Sequence, residues 1–255
     1  MKQALAKIFG ADGRTVILPI DHGTAIPVPG LEQPADLITA LAPHVDGFVV
    51  NLGTARACQN ALAQSAVCLR TDVYKPDLAG GSIKLFGAED AGEVGACAMM
   101  HMLYPGHEDE ARILVECSET IREGIFAGIP TIVEALPSGL GLPAAYTPHA
   151  VGFAVRQAAE LGAAVVKTAF PTGADVAAFR SVVRSSFVPV IVLGGAAMGD
   201  DRALLAMVRD ALDAGAAGIA IGRNVWMHPE PVRIARQLHA LVHRDLSVED
   251  ALRAV

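Results

Sequence analysis

Aromatic residues are scarce in this 255-residue chain: they make up 5% of it, with one Trp and three Tyr. Its core must come instead from Ala, Val, Ile and Leu, small or branched side chains that suit helices packed on a parallel sheet. No run of Lys and Arg occurs, and the formal net charge is −7. Such a surface argues against a nucleic-acid partner. No apolar run approaches the roughly 20 residues that cross a bilayer, so no membrane partner is expected either. The four cysteines, Cys58, Cys68, Cys97 and Cys117, form no C-x-x-C pair. They read as reduced core thiols of a cytoplasmic protein. Residues 1–9 hold two Lys but no apolar core long enough for a secretory signal. Hydrophobic residues at 52% and charged ones at 18% exclude a disordered chain and allow a large core.

What is present is a regular alternation. Eight short apolar runs occupy residues 15–20, 47–50, 66–69, 98–103, 131–135, 164–168, 189–193 and 219–221. Their starts lie roughly 20–35 residues apart, the length of one strand–helix unit. They are continuously apolar, as strands buried on both faces are. Helical periodicity fills the gaps at 36–41, 56–64, 108–127, 149–161, 174–186, 200–214 and 229–243, with a shorter candidate at 89–95. Gly128 and Gly162 fall where a helix ends in a left-handed residue. Strict alternation predicts a parallel sheet, and eight units in this length predict a closed (β/α)8 TIM barrel of one domain, residues 1–255. A Rossmann-like open sheet is the competitor, but Asp21-His22-Gly23 follows the first run where a G-x-G-x-x-G would stand. The stretch 26–34 reads as a long first loop, and residues 244–255 as a C-terminal tail with room for a short helix.

A barrel of this kind carries its active site at the C-terminal ends of its strands. The polar residues there are Asp21 and His22 after the first run, Asn51 after the second, and His101 and Tyr104 around the end of the fourth. Glu134 lies in the fifth run and Lys167 in the sixth. Gly194-Gly195 ends the seventh, and Gly222-Arg223-Asn224 the eighth. Lys167 is one of only five Lys. Desolvation inside an apolar strand pulls a Lys pKa from about 10.4 towards about 7–8, which supplies the free amine that attacks a carbonyl. The alternative is a structural Lys paired across the barrel. Asp21 is placed to move protons, or simply to pair with Lys167. Glu134, if it faces the mouth, is an acid–base candidate with a raised pKa, and Leu136 should then face the same side. Gly194, Gly195, Gly222 and Arg223 suit a phosphate group, held by backbone N–H groups and a guanidinium. The scattered His residues show no two-His-plus-carboxylate spacing at one strand end, so no metal and no other cofactor is predicted.

Four segments stand out: Leu18-Pro19-Ile20-Asp21-His22-Gly23 with Pro29-Gly30-Leu31-Glu32; Val165-Val166-Lys167-Thr168; Val188-Pro189-Val190-Ile191-Val192-Leu193-Gly194-Gly195; and Gly218-Ile219-Ala220-Ile221-Gly222-Arg223-Asn224-Val225. Together they resemble the archaeal-type class I fructose-bisphosphate aldolase family, which includes an aminodideoxyheptulosonate synthase and a phospho-autoinducer-2 thiolase branch. The resemblance implies a lyase that forms a Schiff base at Lys167 and transfers protons through Asp21. It also implies a phosphorylated small-molecule substrate at Gly194, Gly195, Gly222 and Arg223, and a homo-oligomer, often a decamer. One departure matters. The family's aldolases carry Tyr-Pro-Arg-Gly after the fifth strand, and the Tyr donates a proton; here the run is Leu136-Pro137-Ser138-Gly139. That leaves Glu134, His101 or Tyr146 to supply the proton, or a reaction other than hexose-bisphosphate cleavage. Acyl transfer from a phosphorylated dicarbonyl to a thiol, and non-catalytic sugar-phosphate binding, are the alternatives to a class I aldolase.

Overall fold

The structure is a computed structural model, which describes residues 2–74, 82–139 and 141–254. Its strands are β1 (Thr15–Pro19), β2 (Gly47–Val50), β3 (Ala66–Arg70), β4 (Asp72–Tyr74), β5 (Ser82–Lys84), β6 (Ala98–Leu103), β7 (Thr131–Ala135), β8 (Val165–Thr168), β9 (Val190–Leu193) and β10 (Gly218–Ala220). All but β4 and β5 close into a parallel barrel in the order β1-β10-β9-β8-β7-β6-β3-β2. The helices are α1 (Lys2–Leu5), α2 (Pro34–Leu41), α3 (Leu52–Ala57), α4 (Gln59–Leu62), α5 (Ala88–Glu93), α6 (Glu110–Ala127), α7 (Pro148–Leu161), α8 (Val176–Arg184), α9 (Asp201–Asp213), α10 (Arg223–Trp226), α11 (Pro231–His243) and α12 (Val248–Arg253). This is the TIM barrel that the alternation predicts. Gly128 and Gly162 end α6 and α7 with φ of 72° and 103°, a left-handed turn that costs glycine nothing.

The alternation of side chains along each strand divides the molecule into two cores. Ile17, Val49, Cys68, Met100, Ile132, Val165, Ile191 and Ala220 point into the barrel, where Ile8 joins them. The intervening residues, such as Phe48, Leu69, Val133, Val166 and Val192, belong to the larger core that includes the helices. Two residues beyond Cys68, Met100, Ile132, Val165 and Ile191 stand Arg70, Met102, Glu134, Lys167 and Leu193, and all five line a cavity at the mouth. The site therefore sits one inward layer above the packed interior.

Three local features depart from simple alternation. The segment expected as one helix at 56–64 divides into α3 and α4 around Cys58. The third strand runs on to Arg70, and the chain then leaves the barrel as an antiparallel pair, β4 with β5, in which Asp72 faces Lys84 and Tyr74 faces Ser82. The tail carries α12, whose Ser247 side chain caps the first turn by accepting from the Asp250 N–H. Among the described residues no helix is long and apolar enough to cross a membrane.

Candidate active site

The cavity measures about 400 Å³, and its walls come from nearly every strand end of the barrel. Lys167 lies on β8 with its side chain 6% exposed. Its Nζ stands 2.8 Å from Oε1 of Glu134, its register partner on β7. The other carboxylate oxygen of Glu134 accepts from Arg70 at 2.6 Å. Arg70 Nε donates to Asp21 Oδ2, also at 2.6 Å, and Arg70 NH1 lies 3.4 Å from Asp72 Oδ1. Asp72 is held in turn by the Met102 backbone N–H at 2.9 Å. Two cations thus share three carboxylates in a continuous chain, and every member of it lines the cavity.

Such a cluster survives burial because each charge has a partner. Burial alone would push the Asp21 carboxyl up, but Arg70, then His22 and Lys167, attract its anion more strongly, and its pKa falls to about 2. Glu134 follows the same logic. Burial raises its pKa, Lys167 and Arg70 outweigh burial, and the net shift is downward. The raised pKa expected for Glu134 is therefore corrected: facing the mouth does not make a carboxylate hold its proton when two cations face the mouth with it. Arg70 was missed because the third apolar run reads as ending at Leu69, and the guanidinium beyond it looks like the start of a loop. Arg70 and Asp72 are nonetheless the polar residues that end this strand, the same local signal that marks Asp21 on β1.

His22 follows Asp21 and lies on the cavity wall. Its Nδ1 is 3.5 Å from Asp21 Oδ1, and its ring meets Trp226 edge-on at 5.4 Å between centroids. Burial lowers its pKa more than the attraction of Asp21 raises it. Gly194, Gly195, Gly222 and Arg223 also line the cavity. A Cβ on Gly222 would come within 2.5 Å of the Pro19 carbonyl oxygen, so this approach is open only to glycine. Asn224 stitches the two loops together. It donates to the carbonyls of Gly194 and Ala196 at 3.0 Å each, and accepts from the Met198 N–H at 2.8 Å. Arg223 forms no ion pair among the described residues, and its Nε has no partner there.

Three expectations fail on geometry. His101 is fully buried but lies outside the cavity. It sits at an outward position of β6, between the inward Met100 and Met102, and its Nδ1 is 2.8 Å from Thr71 Oγ1 and 3.4 Å from Thr120 Oγ1 on α6. Tyr146 also stands off the wall, its hydroxyl donating to the Gly139 carbonyl at 2.7 Å. Leu136 does not share Glu134's face. Strand β7 ends at Ala135, Pro137 follows, and Leu136 packs in the helix-side core. No group of three or more His, Cys, Asp or Glu among the described residues is arranged to hold a metal ion.

A model of the DeoC/LacD family of aldolases matches residues 15–228. The chain is 30% identical over 258 residues to a 3-hydroxy-5-phosphonooxypentane-2,4-dione thiolase of Yersinia enterocolitica, covering 99% of this chain and 86% of that one. It is 33% identical over 246 residues to 2-amino-3,7-dideoxy-D-threo-hept-6-ulosonate synthase 1 of Archaeoglobus fulgidus, covering 94% and 90%. An archaeal fructose-1,6-bisphosphate aldolase, solved with its catalytic Lys bound to a carbinolamine intermediate, superposes with a TM-score of 0.85 at 29% identity, covering 94% and 98%.

Proposed function

The chain belongs to the DeoC/LacD family of aldolases, and from that premise we propose that it makes or breaks a carbon–carbon bond in a phosphorylated ketose or related sugar phosphate through an imine on Lys167. The observation that carries this reading is an amine on a buried strand that borders an open cavity of about 400 Å³, with a carboxylate 2.8 Å away to take its proton. Once deprotonated, Nζ attacks the ketone. The resulting iminium is the electron sink for the carbanion left when the bond breaks. Glu134 is assigned the exchange of protons with the Lys167 amine. Asp21, which is anionic at any working pH and held by Arg70, is assigned electrostatic support of the cationic intermediate rather than proton transfer. Arg223 and the backbone around Gly194, Gly195 and Gly222 are assigned the phosphate, since Arg223 is a half-buried cation without a protein counter-ion among the described residues.

The hydroxyl absent at Leu136 and the similarity to the Yersinia thiolase support a second reading, acyl transfer from a phosphorylated dicarbonyl to a thiol at the same Lys. Borohydride reduction in the presence of phosphorylated ketones tests what the two readings share. The protein should gain the mass of the reduced adduct on Lys167, and Lys167→Met should lose both adduct and turnover while keeping its fold. Turnover retained by Lys167→Met would end the imine reading. The products, aldehyde or thioester, then separate aldol cleavage from acyl transfer.

A homo-oligomer is also proposed. Phe126 on α6, Phe153 on α7 and Phe187 in the loop after α8 are 86%, 56% and 63% exposed, apolar residues that contact with a second copy would cover. Four buried free thiols support a reducing, cytoplasmic location.

A further inference from the structure

Cleavage through an iminium needs a base for the hydroxyl on the carbon that departs, and an acid for the enamine left behind. Lys167 is consumed by the imine. Asp21 and Asp72 are tied to Arg70, the carboxyl of Asp21 is held too low to store a proton near neutral pH, and Glu134 is committed to exchanging protons with the Lys167 amine 2.8 Å away. His22 stands in the same wall under different conditions. Its ring is clamped between Trp226, edge-on at 5.4 Å, and Gly222, where a Cβ would lie 3.0 Å from its Cε1. Its Nδ1 is shut against Oδ1 of Asp21 at 3.5 Å and has no hydrogen-bond partner. A carboxylate beside a neutral ring favours the tautomer protonated on the nearer nitrogen, here Nδ1, and the lone pair is then on Nε2.

We propose that His22 is the catalytic acid–base residue of the carbon–carbon step; the assignment rests on the imine reading at Lys167. In the cleavage direction Nε2 of neutral His22 takes the proton of the hydroxyl on the carbon β to the iminium. The O–H electron pair becomes the carbonyl of the departing aldehyde, the carbon–carbon pair becomes the enamine double bond, and the iminium π pair returns to nitrogen. The imidazolium then gives that same proton to the enamine carbon and restores the iminium. Water adds to the iminium and releases the ketone and the Lys167 ammonium. The charges facing the ring are Asp21 on the β1 side and Glu134 on β7, which favour imidazolium, and Lys167 on β8 and Arg223 on α10, which oppose it. Burial is the largest influence and also opposes it, so the ring enters the cycle neutral, as a base must.

The test uses dihydroxyacetone phosphate in D2O and reads two quantities. Borohydride trapping reports the imine on Lys167, and NMR reports exchange of carbon-bound hydrogen, which needs the acid–base residue as well. His22→Gln should keep the adduct, slow exchange by about 100-fold or more, and lose the fall in exchange rate below pH 6.5 that a protonated His22 causes. Tyr74→Phe, which alters the phenol on the same wall, should keep both signals. His22→Asn repeats the measurement if His22→Gln does not fold. Exchange by the His22 variant within threefold of the unaltered protein, with the adduct intact, would overturn this assignment alone. So would loss of exchange in Tyr74→Phe instead, or loss of the adduct in a folded His22 variant. No adduct in the unaltered protein would remove the imine reading and this assignment together.

Discussion

At the mouth of the barrel Arg70 lies between Asp21 and Glu134, and beside them is open volume. At the other end, on the last turn of α11, His243 lies between Asp12 and Asp46, with 2.9 Å from Nδ1 to Asp12 Oδ2 and 2.9 Å from Nε2 to Asp46 Oδ2. Asp46 also accepts the Val16 N–H at 2.6 Å, and nearby Arg14 donates to the Val242 carbonyl and to Asp245. Both clusters join carboxylates through a cation or a potential cation. The lower one ties the loop before β1 to the loop before β2 and to α11, so its charges are spent on holding the chain. The upper one leaves its groups facing a cavity. The histidines record the difference. Burial wins over Asp21 at His22, and its pKa falls; the hydrogen bond that His243 donates to Asp46, helped by Asp12, wins over burial, and its pKa rises. A residue type has no fixed role here; its role follows from whether its partners enclose it or leave one side open.

The largest effect expected from disturbing this contrast is that of Arg70→Met. It strands the carboxylates of Asp21 and Glu134 with only Lys167 to balance them, and should lower unfolding free energy by about 3–5 kcal/mol in urea titrations. A variant as stable as the parent would mean that the cluster is not held by its charges. Smaller, and opposite in sign at the two ends, are the pH effects. His243 has a raised folded pKa, so its stabilisation is complete below about 6.5 and is lost as pH rises through the folded value. His22 has a lowered one, so the unfolded chain takes the proton first and stability falls as pH drops below about 6.5. His243→Gln should therefore flatten the alkaline side of the stability curve and His22→Gln the acid side, by about 1 kcal/mol each. Equal curves for the two variants would erase the distinction between the ends. The smallest effect concerns the step itself. His101→Asn should leave kcat within about threefold, because the ring faces α6 and not the cavity; a loss of about 100-fold would return His101 to the site.

Much of this protein is legible along the chain. The eight apolar runs, the polar residue ending each and the glycines after β9 and β10 are local features, and strand, mouth and loop follow from them. Lys167 stands out because an ammonium in an apolar strand needs a reason. His101 was read into the site because its place near the end of a strand is visible, while its inward or outward direction depends on register across the sheet. Glu134 lines the cavity with its pKa shifted opposite to expectation, because the shift comes from Lys167 across the sheet and from Arg70, which lies 64 positions earlier in the chain.

The sequence by itself therefore determined the repeat that makes a barrel, the strand that carries the amine and the glycine-rich loops after β9 and β10, since periodicity and turn chemistry act over a few residues. Only the closed sheet decided that Arg70, Asp21 and Glu134 meet, that His101 turns away, and that His22 and His243 shift in opposite directions. The physical reason is that electrostatic energies depend on distance in space and on burial, and neither is a property of position along a chain.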